Sequence, residues 1–229
     1  MVLWRRLEKE LEGGFELGTK VRDESLTKKR RRQIVEGAIR VFSKKGFHPA
    51  TVDEIAKEAK VTIGTLYNYI RSKPDLIYLA YQYVSEILAT NLLDGLRKNC
   101  SAADRLNSAI SQNLRDVWEY QDIIMFLYKE SGSMDRESLH AVLARETKYI
   151  EMFEELVKDY LQELGYKANE GRARLLGDIL SYLPVMMIFR RWSLKRRFGS
   201  MEKVMEELTE FAKYAAGFAK MEKEAVDGD

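Results

Sequence analysis

The chain has 229 residues, 45% of them hydrophobic and 32% charged, with a net charge of +2; that is enough apolar material for one large core or two modest ones and excludes disorder as the main state. One cysteine, Cys100, and two histidines, His48 and His140, exclude an intramolecular disulfide and a spaced zinc ligand set, and no nucleophile-elbow, phosphate-loop or metalloprotease pattern occurs. The N-terminus alternates charge where a leader would be apolar, and the longest apolar run, Tyr182 to Phe189, falls short of the ~20 residues of a spanning helix, so the expectation is a cytoplasmic protein without membrane contact or cofactor.

Prolines stand only at 49, 74 and 184, and alternation of period two never persists, so an all-α chain is expected. Residues 1–27 form an N-terminal extension in which Leu3 to Glu12 could wind into a short amphipathic helix before Gly13, Gly14 and Gly18 break it. From Lys28, the residues Ile34, Ala38, Val41 and Phe42 share one face of a helix of about five turns. Gly46 supplies the stop and Phe47 its apolar contact. After Pro49, Thr51 and Glu54 make a capping box for a second helix with Ile55, Ala56 and Ala59 inward. Thr62 caps a third. Short helices joined by a tight turn, with alanines at the crossing, make a helix-turn-helix over residues 28–73.

Pro74 and Asp75 suit the start of a longer helix running to about Lys98. Further helices are expected over 103–119, 121–131, 135–164, 169–197 and 200–221, with Pro184 kinking the penultimate one. Residues 74–229 thus form a helical body. Cys100 reads as a half-buried thiol without a chemical role, His48 as a loop residue and His140 as a solvated or capping one.

Charge is unevenly distributed. Lys28 to Lys73 holds 12 basic residues against 4 acidic, a local charge of +8, so the other 183 residues sum to −6. A compact basic module on a mildly acidic body suits a polyanion partner for the first part only. The five consecutive cations Lys28 to Arg32, Arg30 and Arg31 among them, repel one another at the positive end of a helix dipole unless a polyanion lies close; a solvated helix start is the other reading. Winding the third helix from Ile63 turns Leu66 and Ile70 inward and leaves Gly64, Thr65, Tyr67, Asn68 and Tyr69 outward or flanking. Short hydrogen-bonding arms and a glycine that permits close approach suit the major groove of DNA and its phosphates. Ile63 fits either an inward 63, 66, 70 spacing or a thymine-methyl contact, and Asn68 either a bidentate contact to adenine or simple solvation.

The pattern Thr51-Val52-x-x-Ile55-Ala56-x-x-Ala59-x-Val61-Thr62-x-Gly64-Thr65-Leu66-Tyr67-x-Tyr69-Ile70-x-x-Lys73-x-Asp75-Leu76 resembles the N-terminal DNA-binding domain of TetR-family transcriptional regulators. The resemblance covers Arg30 to Tyr78, and the extension before it is longer than the family usually carries. It implies that Thr51, Thr65, Tyr67, Tyr69 and Lys73 fall where the family contacts phosphate, and that Ile63, Gly64 and Asn68 fall where it approaches bases, with Thr62 capping the recognition helix between them.

In the body, large soft side chains cluster around Trp118, Ile123 to Phe126 and Tyr128, and again from Tyr182 to Trp192. Such stripes serve as core or, since methionines adapt to irregular apolar ligands, as a binding cavity. The family resemblance implies an inducer cavity among the middle helices, expected here at Trp118, Phe126, Tyr149, Phe153, Tyr182 and Met186. Arg190, Arg191, Lys195, Arg196 and Arg197 crowd one helix end, where they either complement its dipole or receive an anionic head such as that of an acyl-coenzyme A. The last helix carries an apolar seam of Val204, Leu208, Phe211, Ala215 and Phe218 with Ala212 small enough for close approach. By the family pattern this seam pairs with its twin in a homodimer, whereas the other reading has it cover its own body.

The expected function is a ligand-responsive DNA-binding regulator, a repressor released from a pseudo-palindromic operator by a small, largely apolar or amphipathic inducer of acyl-CoA-like kind. The alternative is a helical protein-interaction module without sequence-specific DNA binding. Catalysis is disfavoured because carboxylates scatter over helical surfaces and His and Cys are nearly absent.

Overall fold

The computed structural model describes residues 24–96 and 101–220. Cys100 and the expected Leu3–Glu12 helix lie outside the described residues. Those described are all-α, without a strand; an isolated bridge pairs Ala168 with Lys220. The helices are α1 Glu24–Lys45, α2 Val52–Glu58, α3 Ile63–Tyr67, α4 Asp75–Leu96, α5 Ala102–Glu119, α6 Gln121–Glu130, α7 Arg136–Glu163, α8 Glu170–Phe189, α9 Arg191–Phe198 and α10 Met201–Ala216, with single 3-10 turns at Ser131–Ser133 and Gly217–Ala219. α1 begins before the expected Lys28. The expected helix over 169–197 is two, broken at Arg190, which caps the end of α8. No helix among the described residues is long and apolar enough to cross a membrane.

These helices form two compact units: the described residues through Ile87 with Tyr120–Arg145, and residues from Leu88 to Glu119 with Glu146 onward. The first unit therefore extends past the expected boundary at residue 73 and takes in α6.

In the first unit, Ile34, Ala38, Val41 and Phe42 of α1 are buried, as their spacing predicts, together with Ile55 and Ala56 of α2, Leu66 of α3 and Ile70 after it. Leu76, Ile77 and Ala80 of α4 complete this core. Gly46 closes α1 with φ +83°, and Phe47 folds back at 5.3 Å from the ring of Phe42. The expected capping box is present: the Thr51 side chain accepts from the Glu54 amide, and the Glu54 carboxylate accepts from the Thr51 amide at 3.0 Å. Lys45 also donates to Glu54 at 2.6 Å. That ammonium first, then the Thr51 donors, hold the Glu54 carboxyl down to about 2.

α1 and α2 approach most closely at Gly37. A Cβ built there would stand 2.7 Å from both Cα and Cβ of Ala59 and 2.8 Å from its nitrogen, closer than non-bonded carbons tolerate. Only the absence of a side chain at Gly37 and a single methyl at Ala59 let the two helices cross this tightly.

The second unit packs Leu106, Ile110, Leu114 and Val117 of α5 with Met152, Phe153, Leu156 and Val157 of α7, Leu176, Leu180, Leu183 and Ile188 of α8, and Val204, Ala212 and Ala216 of α10, all buried. Lys158 gathers Glu154, Glu155 and Glu170 within 2.6 to 3.2 Å, tying the start of α8 to α7.

Gly37→Ala is expected to destabilise the first unit by about 1–3 kcal/mol through overpacking against backbone, seen as a lower urea midpoint. An unchanged midpoint would mean that the crossing can open without cost.

Candidate nucleic-acid interface

The turn between α2 and α3 is built by the backbone. Ala59 closes α2, Lys60 takes a left-handed φ of +55°, and the Val61 amide returns to the Ala56 carbonyl at 3.0 Å. Thr62 then caps α3: its hydroxyl accepts from the Thr65 amide at 3.1 Å and lies 2.8 Å from the Thr65 hydroxyl. With Leu66 buried beneath it, this single-turn helix presents its other residues outward. Ile63 is 40% exposed and Tyr67 52% exposed; Thr62, Gly64 and Asn68 are exposed and Thr65 half-buried. Nothing lies within 4 Å of a Cβ built on Gly64. The inward reading of Ile63 is thus excluded, and Asn68 stands at the C-terminal cap of α3. Tyr69 is half-buried against the core, so its ring braces the helix from below.

The structure corrects the expectation for Lys73. Its ammonium donates to three carbonyl oxygens, those of Phe47 at 2.9 Å, His48 at 2.8 Å and Ala50 at 3.1 Å, and sits 4.7 Å from the centre of the Phe47 ring. An ammonium has three protons to donate, and all three serve the loop between α1 and α2. Lys73 holds that loop, and with it Thr51, in place; none of its donors is left for a phosphate.

Arg31 is half-buried, with its Nε sealed in the interior without a hydrogen-bond partner. Arg30 is half-buried and donates to Gln33 at 2.9 Å. Arg40 pairs with Glu58 at 2.7 Å and Lys45 with Glu54 at 2.6 Å. By contrast Lys44, Lys57, Lys60 and Arg71 are exposed and enter no ion pair among the described residues. Three of them, Lys57, Lys60 and Arg71, flank α3 in sequence. The +8 count includes them, yet only the pairing of their neighbours shows which cations stay available.

The six residues expected to line a cavity are divided between the two units. Phe126 belongs to the first unit, stacked on Phe42 with centroids 4.8 Å apart and planes at 8°; it is core beneath the helix-turn-helix. Tyr149 and Phe153 do meet in the second unit, edge to face at 5.5 Å, and the Tyr149 hydroxyl donates to Asn113 at 2.9 Å. Trp118 is half-buried. Tyr182 is 50% exposed, and with Leu175, Ile179, Met186 and Phe189 it follows a spacing of four and three along one side of α8. Leu175, Ile179 and Phe189 are exposed as well, and Met186 is half-buried. Among the expected seam residues of α10, Val204 and Ala212 are buried inside their own unit, Leu208 and Ala215 are half-buried, and Phe211 and Phe218 are exposed. Tyr214, absent from the expected set, is 81% exposed. α9 buries none of its residues and leaves Trp192, Lys195, Arg196 and Arg197 exposed.

Residues 34–78 match the model of the tetR family of bacterial regulatory proteins. The HTH-type transcriptional regulator HbdR of Aromatoleum sp. (strain CIB) is 24% identical over 188 residues, covering 82% of this chain and 81% of that protein. Among solved structures, a tetR-family regulatory protein from Rhodococcus RHA1 superposes with a TM-score of 0.69 at 16% identity, over 85% of this chain and 99% of the other. AibR, in a complex with isovaleryl coenzyme A and operator DNA, gives a TM-score of 0.52 at 20% identity, over 68% of this chain and 85% of that one.

Lys73→Met keeps the aliphatic stem and removes the ammonium. It is expected to cost about 1.5–3 kcal/mol of stability, the worth of a hydrogen bond to a charged group, while the slope of log affinity for duplex DNA against log salt stays that of the parent. A slope reduced by ~0.9 per site would return Lys73 to the phosphate-contacting set.

Proposed function

From a chain whose residues 34–78 are a TetR-family DNA-binding domain and which is a transcriptional regulator of that family, we propose a ligand-responsive repressor that binds a pseudo-palindromic operator as a homodimer. The observation that carries the DNA-contacting part is the outward face of α3. Ile63, Gly64, Tyr67 and Asn68 stand exposed on one turn anchored by Leu66. Gly64 lets the start of that turn approach base edges, Ile63 offers a methyl-bearing surface to thymine, and Asn68 offers a paired donor and acceptor to adenine. The hydroxyls of Thr51, Thr62, Thr65 and Tyr67 face phosphate oxygens, and Lys57, Lys60 and Arg71 supply the charge that Lys73 does not.

Dimer formation is supported by two neighbouring apolar stripes. Leu175, Ile179, Tyr182, Met186 and Phe189 of α8 repeat every three to four residues, as do Leu208, Phe211 and Ala215 of α10 with Phe218 in the 3-10 turn after it, and Tyr214 lies beside them. Both leave large apolar side chains at the surface of their own unit. A second copy presents the same stripes, and pairing them about a two-fold axis buries all four. Two-fold symmetry then sets the recognition helices ~34–36 Å apart, one turn of duplex.

The effector is read as small and largely apolar and is placed in the second unit. Acyl-CoA thioesters form the first class to test, since AibR has been seen with isovaleryl coenzyme A. Such a ligand releases DNA only to the extent that it prefers the conformation that misfits the operator; a hundredfold preference corresponds to about 2.7 kcal/mol.

Selection of random duplexes by the purified protein is expected to yield a two-fold symmetric site. Asn68→Ala relaxes it at particular base positions, and identical profiles for variant and parent would remove Asn68 from the readers. Arg71→Ala and Lys57→Ala are expected to weaken binding evenly across sequences and lower the salt slope by ~0.9 for each phosphate left without its cation. In sedimentation experiments at micromolar concentration the parent runs as a dimer, and Ile179→Glu or Phe211→Glu as a monomer that no longer holds operator. A monomeric parent would refute the paired-stripe reading.

A further inference from the structure

In the second unit, polar groups from four helices meet at one buried place. On α5, Asp116 and Asn113 are only 3% and 2% exposed. Asn91 of α4 donates to Asp116 Oδ1 at 3.0 Å, and Gln112 donates to the same oxygen at 2.7 Å. Tyr149 of α7 donates to Asn113 Oδ1 at 2.9 Å, and the Asn113 amide donates in turn to the carbonyl of Ser181 on α8 at 3.3 Å. Both hydrogen bonds to Asp116 thus fall on one oxygen. Oδ2 accepts none, and it is not among the atoms sealed without a partner in the interior.

Charge at this place is one-sided. Burial holds the Asp116 carboxyl above its ordinary range, and Glu119 adds to the effect. The Tyr149 phenol is likewise pushed up by burial, then by Glu146 and Asp116. Arg115 opposes the shift; its guanidinium donates to Gln112 Oε1 at 2.7 Å and forms no ion pair with the carboxylate. A buried carboxylate held by two amides and ion-paired with no side chain among the described residues costs desolvation that a cation would offset. Keeping it in a core otherwise filled with leucine, methionine and phenylalanine is the signature of a ligand position: apolar walls with a few converging polar groups.

We infer that Asp116 is the polar anchor of the effector site, with Asn113 and Tyr149 beside it, and that it selects an apolar ligand carrying a primary ammonium. The inference rests on the reading of the second unit as an effector domain and replaces acyl-CoA thioesters as the ligand class expected at this position: the ammonium donates to Oδ2, and the hydrocarbon lies against the apolar side chains around Phe153. An anionic head, carboxylate or phosphate, would meet Asp116 and Glu146 with like charge and is rejected at this position.

The test uses the full-length protein and three probes of one tail length, octylamine, octanol and octanoate, titrated by calorimetry, with octanoyl-coenzyme A as a fourth. Saturable binding of octylamine at least tenfold tighter than octanoate is expected. Asp116→Asn keeps an oxygen for Asn91 and Gln112 while removing the charge; it should lose at least tenfold for the amine and markedly less for octanol, with circular dichroism confirming its fold. If Asp116→Asn does not fold, the order of the four probes on the parent decides alone. Tighter binding of octanoate or octanoyl-coenzyme A than of octylamine overturns the ammonium reading and leaves the effector domain standing. Binding of none overturns the site itself, while the operator selection independently decides whether the protein is a regulator.

Discussion

The close crossing of α1 over α2 at Gly37 and Ala59 sets the geometry on which everything at the DNA-facing end depends. Two helices whose backbones come this near cannot slide past each other, because any side chain at Gly37 would occupy the volume of Ala59. Fixing α2 fixes the Ala59–Lys60–Val61 turn, and that turn aims α3. α3 has a single turn and one buried side chain, Leu66, so it would not persist alone. It is held by its Thr62 cap, by Leu66 and Ile70 in the core, and by Tyr69 braced beneath.

The loop between α1 and α2 is fixed by a different force. Lys73 lies 23 to 26 residues beyond the carbonyls it binds, so its three hydrogen bonds close the module like a clasp. Three carbonyls pointing at one spot repel one another, and the ammonium turns that repulsion into attraction. A cation that sequence places at a phosphate therefore acts one step further back, holding the loop that leads to Thr51.

The second unit divides its apolar residues between two uses. One face of α10 seals the core through Val204 and Ala212, while the other carries Phe211 and Tyr214 at the surface, with Phe218 following in the 3-10 turn. α8 does the same, with Leu176, Leu180, Leu183 and Met187 inside and the Leu175 to Phe189 stripe outside. A helix apolar on both faces has more to bury than one chain can cover. Polar atoms are concentrated instead at the Asp116 network, where amides from neighbouring helices satisfy most, but not all, of what burial demands.

The sequence by itself determined what depends on neighbours a few residues apart. The helical class, the stop at Gly46, the Thr51–Glu54 capping box, the Thr62 cap and the inward set of Ile34, Ala38, Ile55 and Leu66 follow from periodicity and capping, which act within one or two turns. What only the tertiary structure decided depends on which helix lies opposite. Periodicity marks Phe126 as apolar but does not say that Phe42 is its partner. It marks Tyr182 and Val204 alike, though one lies at the surface and the other in the core. The direction of Lys73 and the meeting of Asn91, Asp116 and Tyr149 join residues far apart in the chain. Such contacts are fixed by helix packing, and a single sequence states no pairing between distant segments.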